Sequence, residues 1–304
     1  MNIGKAIKLL FNNKDAFVVR LLMKYPRLST DKFFLEKIFK QKLGKPLNLK
    51  NPQTFNEKLQ WLKLYYHNPI LTSLVDKVTV KEYVADKVGE KYIIPTLGVW
   101  DSFDEIDFSK LPNQFVLKTN HDFGGIIICK DKKSFNYTQA KHKLNKHLKQ
   151  NLFHAGREWA YKDVKPKILA EEYVGKLGDD DVKDYKFYCF DGEPKILLIS
   201  SGRQTGDMKW NFYDMEFNLL NLTKSNKLSD GTMEKPVNFE LMLELAKKLS
   251  VGFPFVRADF YNIEGEISFG ELTFYPGAGY GKFEPEEWDY ELGSYLNLPA
   301  KQKS

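Results

Sequence analysis

Residues 256–281 read "VRADFYNIEGEISFGELTFYPGAGYG". Two apolar, aromatic-rich runs flank a turn at Glu264–Gly265, the pattern of a β-hairpin. Arg257, Asp259 and Glu271 are set inside those runs. Charges in buried strands are costly unless something pairs them. Strand side chains alternate with a period of two. Asp259 and Glu271 are both odd-numbered and symmetric about Gly265, so a hairpin centred there sets them on one face, nearly opposite each other. Opposed Cβ atoms stand about 5 Å apart, and two carboxylates that close repel or one takes up a proton. A hard divalent cation removes the conflict, and oxygen-only ligands suit Mg²⁺ or Mn²⁺. Arg257 shares the face, and a cation beside a metal suggests a third, more anionic object such as a polyphosphate. Taken alone, the hairpin reads equally well as an arginine–carboxylate network on a wet sheet face.

The rest of the chain mixes helices with antiparallel hairpins, so the expected class is α+β. Residues 1–70 read as mostly helical, and "TFNEKLQWLKLYY" opens with a capping box, Thr54 and Glu57. Leu74 to Val88 reads as one helix ended by Gly89. "QFVLKTNHDFGGIIICKD" gives strand, glycine turn, strand. Lys118 ends the first arm, and Gly124–Gly125 sits in the turn. Flexible glycine backbone approaches phosphate oxygens closely and a lysine adds charge, although the pair is neither a Walker loop nor a dinucleotide fingerprint. "ILAEEYVG" is a strand running into a loop, where backbone groups are able to meet a purine edge.

Composition narrows the classes. Of 304 residues, 42% are apolar and 14% aromatic, enough for a sizeable core in about two domains. Cys129 and Cys189 sit in apolar runs and suit buried thiols of a reducing compartment; no Cys/His cluster has zinc spacing. Residues 1–50 hold twelve Lys and Arg against three Asp and Glu, whereas the remainder holds 34 against 37. The body is therefore near neutral, and no nucleic-acid motif accompanies the basic segment. The apolar run Ala16–Met23 is too short to span a bilayer. A cytoplasmic protein is expected. Residues 1–30 either pack on the body with a solvated lysine face or touch the inner membrane face.

In order, the chain carries "DK", "FVLK" before a glycine turn, "ILAEEYVG", "DYK", "RADF" and "GELTFYPGAG". That order resembles the ATP-grasp superfamily, and "FNEKLQWLK", "DYKFYCFDGEPK" and "FGELTFYPGAG" look like its teichuronopeptide-biosynthesis (TupA-like) branch, met in bacterial surface-polysaccharide loci. The resemblance implies two α+β lobes whose antiparallel sheets clasp a nucleotide, with a helical N-terminal segment at 1–73, a small lobe at 74–173 and a large lobe at 174–304. It implies ATP with Mg²⁺, and the joining of a small or glycan-linked carboxylate to an amine. Lys77 and Lys118 would hold phosphates, and His121 to Gly125, with Gly124, would form a mobile lid. Glu171 and the backbone of Tyr173 and Val174 would meet the adenine. Asp184 would lie near the ribose, and Lys186 near the phosphates or acceptor. Asp259 and Glu271 would ligate the metal, while Arg257 would steady the phosphoryl group and the developing oxyanion. Thr273 stands where many ATP-grasp enzymes carry an asparagine ligand.

Two further readings come from the residues. The chain has only five arginines, and Arg203, ending "ILLISSGR", is a candidate for bidentate binding of a substrate carboxylate. Asp179–Asp181 contains an Asp-x-Asp, so the alternative function is a metal-dependent glycosyltransferase of surface-polysaccharide synthesis.

Overall fold

The computed structural model describes residues 14–175, 182–202, 206, 208–224, 231 and 233–301. Helices α1 (Lys14–Lys24), α2 (Asp31–Leu43), α3 (Phe55–Tyr65), α4 (Ile70–Val75) and α5 (Val80–Val88) come first. Strands β1 (Thr96–Trp100), β2 (Phe115–Thr119) and β3 (Ile126–Cys129) follow, then α6 (Tyr137–Leu148), α7 (Leu152–Gly156) and β4 (Ile168–Glu172). The second half holds β5 (Asp184–Phe190), β6 (Glu193–Ser201), β7 (Lys209–Tyr213), β8 (Thr223–Lys224), α8 (Phe239–Ser250), β9 (Phe255–Ile263), β10 (Glu266–Thr273), β11 (Phe283–Glu284) and α9 (Glu287–Tyr295).

The class is α+β, with two antiparallel sheets ordered β1-β4-β2-β3 and β10-β9-β5-β6-β7. One face of the small sheet buries Phe115, Leu117, Ile168 and Ala170 against Ala140 and Leu144 of α6. Alternation then turns Val116, Lys118 and Glu171 to the other face. The large sheet is covered by α8, whose Phe239, Met242, Leu245, Ala246 and Leu249 form one buried stripe. Helix α3 starts with the expected capping box and adds Phe55, Leu59 and Leu62 to the large-sheet core. The small core draws on residues 103–170, whereas buried residues from 49 to 92 pack with the large sheet.

One helix was expected from Leu74 to Val88, but the structure has two. Asp76 Oδ1 accepts from the Val78 N–H (2.9 Å) and competes with helical pairing, so the chain breaks between α4 and α5. Lys77 therefore sits in a junction and not on a helix, and its N–H donates to the Asn120 carbonyl (3.1 Å).

The 256–281 hairpin turns on two residues, Glu264 (φ 51°) and Gly265 (φ 93°). A regular ladder from that turn would oppose Gly270 to Asp259 and put Glu271 opposite Ala258, on the core face. The observed register pairs Phe269 with Phe260 and then Glu271 with Asp259. A β-bulge at Gly270 absorbs the extra residue. Glu271 thus reaches the expected partner, but through the bulge and not through a turn centred on Gly265. Glycine eases that bulge, since a Cβ would lie a tight 3.1 Å from the Asp259 carbonyl oxygen.

Candidate active site

Asp259 is the hub of the hairpin face and is 2% exposed. Arg257, two residues away on the same strand face, donates to it through Nε (2.7 Å) and Nη2 (2.6 Å). Lys186, cross-strand on β5, donates to Asp259 Oδ2 at 2.6 Å and lies 3.6 Å from Asp184. Glu271 is held more loosely, at 3.4 Å from both Arg257 Nη2 and Thr273 Oγ1. Thr273 also accepts from Arg257 Nη2 at 3.2 Å. Burial penalises the Asp259 carboxylate, but Arg257 and then Lys186 outweigh it and hold its pKa below the usual range.

The small sheet carries a second charged cluster, of which Lys118 faces the same cleft. Glu171 is clamped between Lys118 and Lys81, each at 2.6 Å. Burial acts against the charge of both Lys118 and Glu171, and their mutual attraction prevails. The lysine pKa is raised, and the carboxyl pKa, lowered by Lys118 and Lys81, falls below its ordinary value. Lys77 is different: burial dominates and lowers its pKa, while its ammonium donates to the Asp122 carbonyl at 2.7 Å.

Lys77, Lys118, Asp184, Lys186, Asp259 and Glu271 line one small pocket with Ile126, Tyr261 and Gly270. A second cavity of about 100 Å³ adjoins it through Lys118, Ile126, Asp184 and Tyr261. Its other walls are Ile94, Val116, Ile128, Glu172, Tyr173, Val174, Gly175 and Val182. The cleft therefore has an apolar end and a charged end, the polarity that a nucleotide with an attached divalent cation presents.

The remaining sequence candidates fall as follows. Tyr173 and Val174 line the apolar cavity. Glu171 lines neither pocket, because both its oxygens face lysines; Glu172 lines the cavity instead. His121 is not brought to the cleft. Its ring is buried against the Asn120 side-chain oxygen (3.2 Å) and the Gln150 carbonyl (3.1 Å), and burial lowers its pKa. Gly124 takes the left-handed φ (81°) of the turn, and Gly125 accepts from the Thr119 N–H at 2.8 Å, closing it. Asp122 braces the turn through Thr119 Oγ1 and His147. Arg203 and Asp179–Asp181 lie outside the described residues. Lys81 escaped the sequence reading, since its pairing with Glu171 exists only once β4 lies beside α5.

Both Asp259 oxygens are engaged by Arg257 and Lys186, whereas Glu271, at 3.4 Å from its partners, is the freer oxygen donor. A divalent cation arriving with its own oxygen ligands would bind Glu271 and share or displace the cations on Asp259. Mg²⁺ is usually bound by one or two carboxylates, with phosphates and waters completing its shell. Among the described residues no group of three or more His, Cys, Asp or Glu is placed to hold a metal by protein ligands alone.

The model of the TupA-like ATP-grasp family matches residues 57–297. Similar solved structures include a D-alanine–D-alanine ligase from Helicobacter pylori (18% identity, 81% of this chain and 68% of that one, TM-score 0.43). Others are the ATP-grasp ligase PsnB with a minimal precursor, Mg and ADP (12%, 90% and 66%, 0.38) and a RimK domain ATP-grasp protein from Sphaerobacter thermophilus (9%, 74% and 69%, 0.39). The chain spans 55% and 59% of two further D-alanine–D-alanine ligase structures, both from Bacillus anthracis. No curated protein matches. The family match covers most of the chain, including both walls of the cleft, and the chain belongs to the TupA-like ATP-grasp family.

Proposed function

We propose that this protein is an ATP-dependent carboxylate–amine ligase that works through an acyl phosphate. It joins an amino acid or other amine to a uronic acid or similar group during cell-surface polysaccharide biosynthesis. The observation that carries this reading is the Asp259–Glu271 pair, bridged by Arg257 and set at the charged end of a cleft whose other end is apolar. Polysaccharide chemistry is supported by the family branch alone.

Each group has a chemical task in this proposal. A carboxylate is a poor acyl donor because its leaving group is oxide, and phosphorylation supplies a good one. Lys118 and Lys77 hold the transferring phosphates, and Arg257 neutralises charge as the carboxylate oxygen attacks phosphorus. Asp259 and Glu271, with Thr273, would hold Mg²⁺, or Mn²⁺ in its place, whose contribution is charge neutralisation and alignment. Tyr173 and Val174 meet the adenine, Asp184 the ribose, and the His121–Gly125 turn covers the phosphates and keeps out water. His121 braces that turn from within, through Asn120 and the Gln150 carbonyl.

Purified protein with ATP, Mg²⁺, hydroxylamine and a panel of uronic and amino acids tests the reading. A hydroxamate should form with ADP and phosphate as co-products; AMP and pyrophosphate would refute the acyl phosphate. The glycosyltransferase alternative rests on Asp179–Asp181, and hydrolysis of nucleotide sugars without ATP would favour it.

Peripheral membrane contact belongs to the same proposal. Among the described residues no helix is long and apolar enough to cross a membrane. Leu21, Met23, Tyr25 and Leu28 are exposed beside Arg20, Lys24 and Arg27, which suits an anionic bilayer surface. Sedimentation with phosphatidylglycerol vesicles, but not with neutral ones, is the expected result, and equal recovery with both would remove this part.

A further inference from the structure

Lys224 is a buried cation that the proposed chemistry does not use. It ends β8, opposite Phe283 of β11, and is 6% exposed. Among the described residues no hydrogen bond or ion pair reaches its ammonium. Its neighbours are ring faces, Phe283 at 4.9 Å and Tyr188 at 5.9 Å from the ring centroids. Two glycines make room for it. A Cβ on Gly281 would lie 2.0 Å from Lys224 Cε, and one on Gly277 would lie 3.6 Å from Nζ. Gly277 is exposed, so solvent meets the site at that side.

Its position ties it to the cleft. Tyr188 is paired with Arg257 across β5 and β9, and Thr273 is paired with Arg257 across β9 and β10. Along β5, Asp184 and Lys186 precede Tyr188 on the same face. Asp184 lines both nucleotide-side pockets, so Lys224 lies beyond Arg257, on the side away from the apolar cavity. Lys63 also approaches the 276–281 segment, but its ammonium has three acceptors: Gln60 Oε1 (3.0 Å), the Gly156 carbonyl (2.8 Å) and the Ala278 carbonyl (2.7 Å). Lys63 is a structural clamp, whereas Lys224 is also buried (6% exposed against 2%) and has none of those partners among the described residues. Aromatic faces offset part of the desolvation of an ammonium, yet they leave its N–H donors unmet.

We infer that Lys224, in the recess bounded by Tyr188, Phe283, Gly277 and Gly281, holds the anionic group of the carboxylate substrate at the Arg257 end of the cleft. This rests on the ligase reading and names a residue for its acid-binding side, where the sequence offered Arg203 and, between phosphates and acceptor, Lys186.

Lysine reactivity read by mass spectrometry tests it on the full chain. An acylating reagent is applied with and without ADP–Mg²⁺, and with each of D-glucuronate, D-galacturonate, L-glutamate and L-alanine as the added salt. Glucuronamide serves as the uncharged control. At least one acid should slow labelling of Lys224 fivefold or more, while ADP–Mg²⁺ slows labelling of Lys118. The Lys224→Met variant should keep its ADP affinity and raise the KM of the protecting acid at least tenfold, with kcat within about threefold. Protection of Lys118 by nucleotide with no protection of Lys224 by any acid overturns the assignment and leaves the ATP reading standing. Failure of ADP–Mg²⁺ to protect Lys118 overturns both. Equal protection by glucuronamide shows that the recess reads shape and not charge, and also overturns the assignment.

Discussion

Asp259 and Glu271, the proposed metal ligands, are held very differently, and this separates stability from ligand binding. Asp259 is 2% exposed and accepts three charged hydrogen bonds of 2.6–2.7 Å. Asp259→Asn leaves the Arg257 and Lys186 cations buried without their main counter-charge. Removing one partner of such a pair costs about 3–5 kcal/mol. At roughly 2–4 °C per kcal/mol for a chain of this size, Tm should fall by roughly 6–20 °C. The Glu271 side chain is 31% exposed, and its contacts are 3.4 Å long. Glu271→Gln should therefore change stability by no more than about 1 kcal/mol. Both substitutions remove a charge from the metal site, so both should abolish the Mg²⁺-dependent tightening of ADP binding. Urea unfolding and calorimetric titration of ADP with and without Mg²⁺ read the two effects separately. A Glu271→Gln variant that keeps the full Mg²⁺ effect would refute the metal assignment. An Asp259→Asn variant as stable as the wild type would refute the energetic account of the cluster.

Three further outcomes are expected. Gly125→Ala would bring a Cβ to 1.8 Å from Thr119 Oγ1, so the turn after Lys118 should fail to close, and ADP affinity should drop at least tenfold while urea unfolding of the large-sheet core stays unchanged. Lys81→Met leaves Glu171 one cation short; it should weaken ADP binding less than Lys118→Met does, and the reverse order would contradict the cleft geometry. Glu158 is fully buried; burial, only partly opposed by Lys63, pushes its pKa up to about 7. A raised acid favours the folded state below its unfolded pKa near 4.5, and this stability is lost as pH rises through 7. Lys63, lowered to about 8, titrates above that window. Urea stability should thus decline by about 3 kcal/mol from pH 4.5 to 7, and Glu158→Gln should flatten that decline.

The α+β class, the capping box at Thr54, both strand–turn–strand units and the charged face of 256–281 were legible because each rests on local periodicity. Three features were not. The break at Asp76 depends on a side chain outcompeting the helix for one N–H, which a run of well-spaced valines conceals. The Gly270 bulge leaves no mark in an alternating pattern, so the correct Asp259–Glu271 pairing was reached from the wrong turn. Lys81, Lys63 and Lys224 look like ordinary lysines in a lysine-rich chain. Their surroundings are set by segments 90 to more than 200 residues away for the first two, and for Lys224 by the glycines of "PGAGYG". Those glycines read as turn formers. In the fold they also make space: a Cβ on Gly279 would meet Gln60 Nε2 at 2.3 Å, and one on Gly281 would meet Lys224.

The acyl phosphate is the central chemical claim, and oxygen transfer tests it most directly. The acid that yields a hydroxamate is labelled with ¹⁸O in its carboxylate and turned over with unlabelled ATP and an amine. Attack of that carboxylate on the terminal phosphorus carries one labelled oxygen into inorganic phosphate. The account expects one ¹⁸O per phosphate released, in step with amide formed, and none when Glu271→Gln replaces the wild type. Amide formed with unlabelled phosphate would contradict it.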